Sequence, residues 1–176
     1  MAISASACDV VFAAFQAARA AGAKISFDPN LRLRLWPLER ARATIADATR
    51  MTDYFFPSIE DARALSGIDE AQGLIDWAHR LGAKTVFLKL GPHGALVSDG
   101  RQRERIAGFK VNAVDATGAG DCFCGAALAR IAAGDSVFEA GRYATAAAAL
   151  ATAGFGAVAP LPRPDAVRRL LATGPT

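Results

Sequence analysis

Asp115-Ala116-Thr117-Gly118-Ala119-Gly120-Asp121 is followed by the apolar run Phe123 to Ile131, and the reading of the chain turns on this junction. Two glycines flank an alanine where an extended segment, Phe109 to Val114, gives way to a predicted helix. Backbone N–H groups at such a junction lack intrahelical partners, and they converge on one small volume. The aligned peptide dipoles add partial positive charge, so the usual guest is a phosphate. Asp121 in the first turn would oppose simple phosphate storage. The pair of features fits a phosphoryl group in transit: the N–H groups hold its developing charge, and the carboxylate accepts the proton of an incoming hydroxyl. The plainer reading, a tight turn followed by an acidic cap, uses the same residues.

Working upstream, Thr85 to Leu90 is the strongest strand pattern in the chain, followed by Gly91-Pro92-His93-Gly94. Ala95 to Ser98, an Asp99-Gly100 turn and the polar run Arg101 to Ile106 predict a hairpin. Lys89 ends a core strand, where an ammonium must either meet an anion or reach water along its alkyl stem. Earlier come predicted helices over Ser6 to Ala21, Pro37 to Arg50, Ser58 to Leu65 and Ala71 to Leu81. They alternate with short strands at Lys24 to Asp28 and Tyr54 to Phe56. His79 is expected to face solvent and His93 to sit in an exposed turn. The loop FDPNLRLRLW (27–36) follows a strand, the end at which α/β sheets bind ligands. Arg32 and Arg34, two apart, either grip a carboxylate or are simply solvated.

Downstream, Ser136 to Ala153 predicts an alanine-rich helix able to pack closely against a helix or a flat base. A loop Gly154-Phe155-Gly156-Ala157 and a short terminal helix, Asp165 to Ala172, complete the chain, with Gly174-Pro175-Thr176 expected to fray. The pattern predicts one α/β domain over residues 1–176, built on a mostly parallel three-layer sheet with an antiparallel edge hairpin. A helix preceding the first strand suggests that earlier strands belong upstream.

The 176 residues suffice for a core. A net charge of +3, with arginines not interleaved among aromatics, does not argue for nucleic acid. No apolar run is long enough to span a bilayer, and MAISASACDVVF lacks a basic leader, so the expectation is a cytoplasmic protein with no membrane partner. Cys8, Cys122 and Cys124 are too few for a disulfide framework and read as reduced packing residues. Cys122, near a helix start, is where a thiol pKa would be lowered.

DATGAGDCF (115–123) resembles the C-terminal signature of the ribokinase-like (PfkB) carbohydrate kinases. The resemblance implies a ribokinase-like fold, with Asp121 as catalytic base and the backbone of Gly118, Ala119 and Gly120 as anion hole. It implies ATP and Mg²⁺ as cofactors. Lys89-x-Gly91-x-x-Gly94 resembles the family's nucleotide-side strand and turn, and the run Ala144 to Ala149 its adenine-side helix, where Thr145 stands at a position that often carries Asn or His. Thr117 joins the nucleotide side. Asp115 and Thr117, with the loop at 154–157, match the position of a monovalent cation in many relatives. FDPNLRLRLW is similar to a stretch of 2-keto-3-deoxygluconate kinases, which implies that Arg32 contacts the acid end of a sugar acid, with Asn30 a further substrate-binding residue and Arg34 at a variable position. Where relatives carry Asn-x-x-Glu, this chain has Ser58-Ile59-Glu60-Asp61, so Asp61 is either an indirect magnesium residue or only a helix cap.

The resemblance covers only the C-terminal part of the family's length. Sugar-side strands and lid are expected upstream, and self-association through exposed surface is expected without them. Two competing readings are a dinucleotide-binding oxidoreductase, although Phe123 stands where Gly-x-Gly-x-x-Gly needs its last glycine, and a non-catalytic binding or assembly fragment.

Overall fold

The computed structural model describes residues 1–174; Pro175 and Thr176, part of the expected frayed end, lie outside the described residues. The chain divides into two compact units, Met1–Leu88 and Lys89–Thr176.

The first unit alternates helices with parallel strands. Helix α1 (Ala5–Ala20) starts where Ser4 Oγ accepts the Ala7 N–H, and none of its residues is fully buried. Strands β1 (Ser26–Phe27) and β2 (Tyr54–Phe55) pair in parallel, and β2 pairs in parallel with β3 (Thr85–Lys89). The first two ladders are shorter than the sequence predicts, because Pro29 and Pro57 follow closely and cannot donate to a ladder. Thr85 to Leu88 are buried throughout, as a parallel strand covered on both faces requires. Phe56 stacks on Phe87 with ring centroids 4.7 Å apart, and Phe27 on Phe55 at 6.0 Å.

Helix α2 (Leu38–Arg50) buries Ala41, Ile45, Ala48 and Thr49. Helix α3 (Ile59–Ser66) is capped by Ser58 and ends at Gly67, whose φ of 74° is the left-handed conformation of a helix stop. Helix α4 (Ala71–Leu81) buries Leu74, Ile75 and Ala78. His79 does not face solvent: it is half-buried, its Nδ1 2.8 Å from the Ala83 carbonyl oxygen just past the helix end.

A buried carboxylate ties this unit together at the other end of its strands. Asp53 accepts the Ile25 N–H at 2.9 Å and meets Lys84 at 2.9 Å and Arg19 at 3.2 Å, with Lys24 at 4.0 Å. Burial pushes its carboxyl pKa up, but Lys84, the Ile25 N–H and Arg19 together outweigh that and hold it below the ordinary value.

The second unit opens with Lys89 and a single 3₁₀ turn, Gly91–His93. Strands β4 (Ala95–Ser98) and β5 (Arg103–Ile106) pair antiparallel, Ala95 opposite Ile106 and Ser98 opposite Arg103. The connection is therefore Asp99 to Gln102 rather than a two-residue turn. Asp99 Oδ1 accepts the N–H groups of Arg101 and Gln102 and closes it. Residues 109–114 belong to no ladder: the Ala113 N–H turns back to the Val111 carbonyl, and the N–H groups of Val114 and Asp115 donate to the Thr152 carbonyl.

Helix α5 (Ala119–Ala132) and helix α6 (Val137–Ala151) follow, the latter opened by a reciprocal Ser136–Glu139 capping box. Helix α6 buries Ala140, Gly141, Ala144, Thr145, Ala146, Ala147 and Ala151, which permits close approach of its neighbours. Helix α7 (Pro164–Thr173) sets Val167 into a cluster with Phe109, Ala146 and Ala147. No helix among the described residues is long and apolar enough to cross a membrane.

Candidate functional site

Gly118 is the N-cap of α5 with φ 77°, a conformation that costs an L side chain about 1–2 kcal/mol. A Cβ there would also lie 2.7 Å from the Ala157 Cβ and 3.0 Å from its Cα. The position requires glycine twice over: once for the turn, once so that the loop at 154–157 can lie against the helix mouth.

The N–H groups divide unevenly. Ala119 N–H is taken by the Ala116 carbonyl at 3.1 Å, and Cys122 N–H by Gly118 at 2.8 Å. Among the described residues, the N–H groups of Gly118, Gly120 and Asp121 have no hydrogen-bond partner. In this structure the Ala119 N–H closes the turn before the helix. The remaining three surround the start of the helix, where an anion is the complementary ligand. Asp121 is exposed, and among the described residues nothing engages its carboxylate.

Asp115 holds the two loops in register. Its Oδ1 accepts both the N–H and the hydroxyl of Thr117, at 2.9 and 2.7 Å, and its Oδ2 accepts the Gly156 N–H at 2.8 Å. The Thr117 hydroxyl, followed by the Gly156 and Thr117 N–H groups, holds the carboxyl pKa below its ordinary value. The Thr117 hydroxyl proton is therefore committed inward.

Lys89 reaches the same helix. Its Nζ lies 3.8 Å from Cys124 Sγ and 3.4 Å from the point where a Cβ on Gly120 would project. The ammonium thus stands beside the first turn of α5, a placement that strand position alone does not reveal. Gly94 has a steric explanation: a Cβ there would lie 2.1 Å from the Ile106 carbonyl oxygen, because the 91–94 turn packs backbone to backbone against 106–108. Gly91 is exposed with φ 58°. Thr145 is buried and donates its hydroxyl to the Gly141 carbonyl at 2.8 Å, which leaves that proton unavailable to a base edge. Cys122 is a packing residue whose thiol burial pushes up, not down as a helix start alone would predict.

In the first unit, the 28–36 loop is pinned at several points. Asn30 adopts φ 40° and donates its N–H to Asp28 Oδ1 at 3.1 Å. Leu31 N–H donates to Asp61 Oδ2 at 3.2 Å, so Asp61 braces this loop from the start of α3. Trp36 anchors the far end in a cluster with Ala41, Ile45 and Leu65. Arg32 is exposed, its Nη1 turned to the Leu31 carbonyl at 2.9 Å, and Arg34 is exposed as well.

A donor-rich helix mouth with a carboxylate on its first turn, in an α/β chain, is an arrangement complementary to a phosphate-bearing ligand. The family model for the pfkB family carbohydrate kinases matches residues 2–164, and the chain belongs to that family. It is 38% identical over 124 residues to the 2-dehydro-3-deoxygluconokinase of Bacillus subtilis, covering 69% of this chain and 38% of the relative. It is 35% identical over 170 residues to fructokinase-2 of Oryza sativa, covering 90% of this chain and 50% of the relative. The crystal structure of the Vibrio cholerae fructokinase with fructose, ADP and calcium ion superposes with a TM-score of 0.85 at 30% identity, covering 92% of this chain and 55% of that one. The fold is therefore ribokinase-like, a mostly parallel sheet with an antiparallel part. The chain spans about half the length of these relatives or less. The matches are to carbohydrate kinases; none supports the oxidoreductase alternative, and Phe123 is buried where the dinucleotide motif needs a glycine.

Proposed function

We propose that this chain is the nucleotide-binding and catalytic portion of an ATP-dependent sugar kinase of the 2-keto-3-deoxygluconate type. The observation that carries the reading is the set of N–H groups at Gly118, Gly120 and Asp121 that have no partner among the described residues, beside a carboxylate that none of those residues engages. In this reading Asp121 takes the proton from a primary hydroxyl of the sugar acid, at C6 by family resemblance. The oxygen then attacks the γ-phosphate, and the helix mouth steadies the charge on the transferring group, Ala119 contributing through the turn it closes. Lys89 contributes positive charge at the same turn, while Gly91, Gly94, Thr117 and Thr145 shape the nucleotide side. A magnesium ion, when bound with ATP, would supply charge neutralisation to the phosphates. Among the described residues no three His, Cys, Asp or Glu side chains gather, which suits an ion carried largely by phosphates and water. Asp61, whose second role here is to brace the 28–36 loop, acts on that ion only indirectly. Asp115 keeps lone pairs beyond its three accepted hydrogen bonds, so with the 154–157 carbonyls it suits a monovalent cation.

Arg32 and Asn30 receive the substrate's acid end. An exposed guanidinium on a pinned loop favours a carboxylate-bearing sugar over fructose, although both kinds of kinase are among the relatives. The chain alone is expected to bind Mg·ATP while turning over slowly or not at all, since orientation and exclusion of water both require the sugar side.

Calorimetry with Mg·ATP and with NADH, followed by an ADP-release assay on 2-keto-3-deoxygluconate and fructose, tests this. Binding of Mg·ATP and not NADH is expected, with any sugar phosphorylation abolished in Asp121→Asn. Binding of NADH alone overturns the reading. Robust Asp121-dependent turnover by the chain alone overturns the expectation of low activity, and a preference for fructose overturns the role given to Arg32.

A further inference from the structure

We propose that Cys124 and Lys89 form a peroxide-responsive covalent pair, in which oxidation of the thiol lets the lysine close a sulfur–nitrogen bond at the foot of α5. The two atoms stand 3.8 Å apart, both residues are half-buried, and Cys124 is in no disulfide. Cys124 and Gly120 are one helical turn apart, and the Lys89 ammonium lies along that edge.

Reactive cysteines sit in electropositive, partly exposed surroundings, and buried ones are inert. The three thiols differ in this respect. Cys122 packs into the cluster around Phe109. Cys8 lies on α1, among alanines and beside Asp9. Cys124 has a lysine against its sulfur and a helix N-terminus within two turns.

The chemistry balances with hydrogen peroxide as oxidant. The thiol S–H bond and the peroxide O–O bond break, an S–O bond forms, and one water leaves: sulfur is oxidised to a sulfenic acid and peroxide is reduced. The Lys89 amine, having released a proton to solvent, then attacks the sulfur. An S–N bond forms as the S–O bond breaks, and hydroxide leaves and takes up a proton as a second water. Condensation of a sulfenic acid with nitrogen is a known branch of cysteine oxidation, and two equivalents of external thiol reverse it, returning thiol and amine with a disulfide as by-product. The bond removes the Lys89 charge from the turn carrying Gly120. A resulting loss of nucleotide affinity rests on the kinase reading; the bond itself does not.

The full chain is treated with dilute hydrogen peroxide, and intact mass and tryptic peptides are compared before and after dithiothreitol. The expected product is about 2 Da lighter than the reduced chain. Trypsin fails at Lys89, the peptides bearing Lys89 and Cys124 are joined, and dithiothreitol restores the starting mass. Cys124→Ser and Lys89→Arg each abolish the link, the arginine keeping the charge without the nucleophile, with circular dichroism checking that both fold. Oxygen added at Cys124 with Lys89 still cleavable overturns the proposal. So does a disulfide of the same mass that leaves Lys89 cleavable, or a Cys124 that stays alkylatable throughout.

Discussion

Two glycine-to-alanine changes on one helix have opposite consequences if the mouth of α5 is built as described. At Gly118, alanine must adopt φ 77°, which costs about 1–2 kcal/mol, and its Cβ would meet Ala157 at 2.7 Å. Relief requires the 154–157 loop to withdraw, stretching the 2.8 Å bond from Gly156 N–H to Asp115. Weakening that bond and relieving the overlap with Ala157 act in the same direction as the strain. The backbone strain alone sets an expected loss of about 1–2 kcal/mol, or roughly 2–8 °C in the melting temperature of a chain this size. Gly125, by contrast, is exposed in the middle of α5 with nothing within 4 Å of an added Cβ. Alanine there should stabilise by about 0.8–1 kcal/mol, some 2–4 °C. Thermal unfolding by circular dichroism, paired with calorimetry against Mg·ADP, measures both. Gly118→Ala should also weaken nucleotide binding at least tenfold, while Gly125→Ala leaves it unchanged. Equal effects of the two changes, or a Gly118→Ala chain that melts and binds like the parent, would refute the close approach of the 154–157 loop and the role given to the helix mouth.

Asp53→Asn should lower stability near neutral pH by about 1.5–3 kcal/mol, the figure restrained because Lys84 and Arg19 are partly exposed and regain water. The Asp53 pKa is depressed in the folded chain, so its contribution is present above the unfolded value of about 3.9 and is lost as pH falls through the folded one. Urea unfolding of parent and variant across pH should therefore show a gap that closes below about pH 4; a gap that widens in acid contradicts the sign. Asp115→Asn should lose one of its two loop contacts and loosen the 154–157 segment, read as faster amide exchange at Gly156; unchanged exchange counts against the Asp115 bridge. Ser136→Ala removes the capping box of α6 and should cost about 1 kcal/mol in urea titration, while an unaffected midpoint would show that the cap contributes nothing.

Helix positions were legible in the sequence because their signals are local. Ser58, Gly67 and Gly82 punctuate α3 and α4, and the alternation of helix and strand fixes the α/β class. Ladder lengths were less so, because Pro29 and Pro57 limit pairing in ways a propensity pattern over 24–28 and 54–56 does not register. At the site, Gly118-Ala119-Gly120-Asp121 was readable since a turn, a dipole and a carboxylate all lie within four residues. What depends on distant chain was not. Nothing near Gly94 in sequence reports the carbonyl of Ile106, and nothing near Lys89 reports Cys124, 35 residues on. His79 was misread because its acceptor, the Ala83 carbonyl, lies past the helix end. Asp53, which no local pattern singles out, gathers its cations from residues 19, 24 and 84, distant in the chain.

The central claim is that the amides at the start of α5 receive the phosphoryl group that Asp121 helps to transfer. Amide NMR of the chain titrated with Mg·ADP and aluminium fluoride, a stand-in for the transferring group, tests it most directly. The account predicts that the largest shifts on adding fluoride to the ADP-bound chain fall on Gly118, Gly120 and Asp121, with Ala119 moving less. Fluoride-dependent shifts elsewhere, with those three amides unmoved, would contradict it.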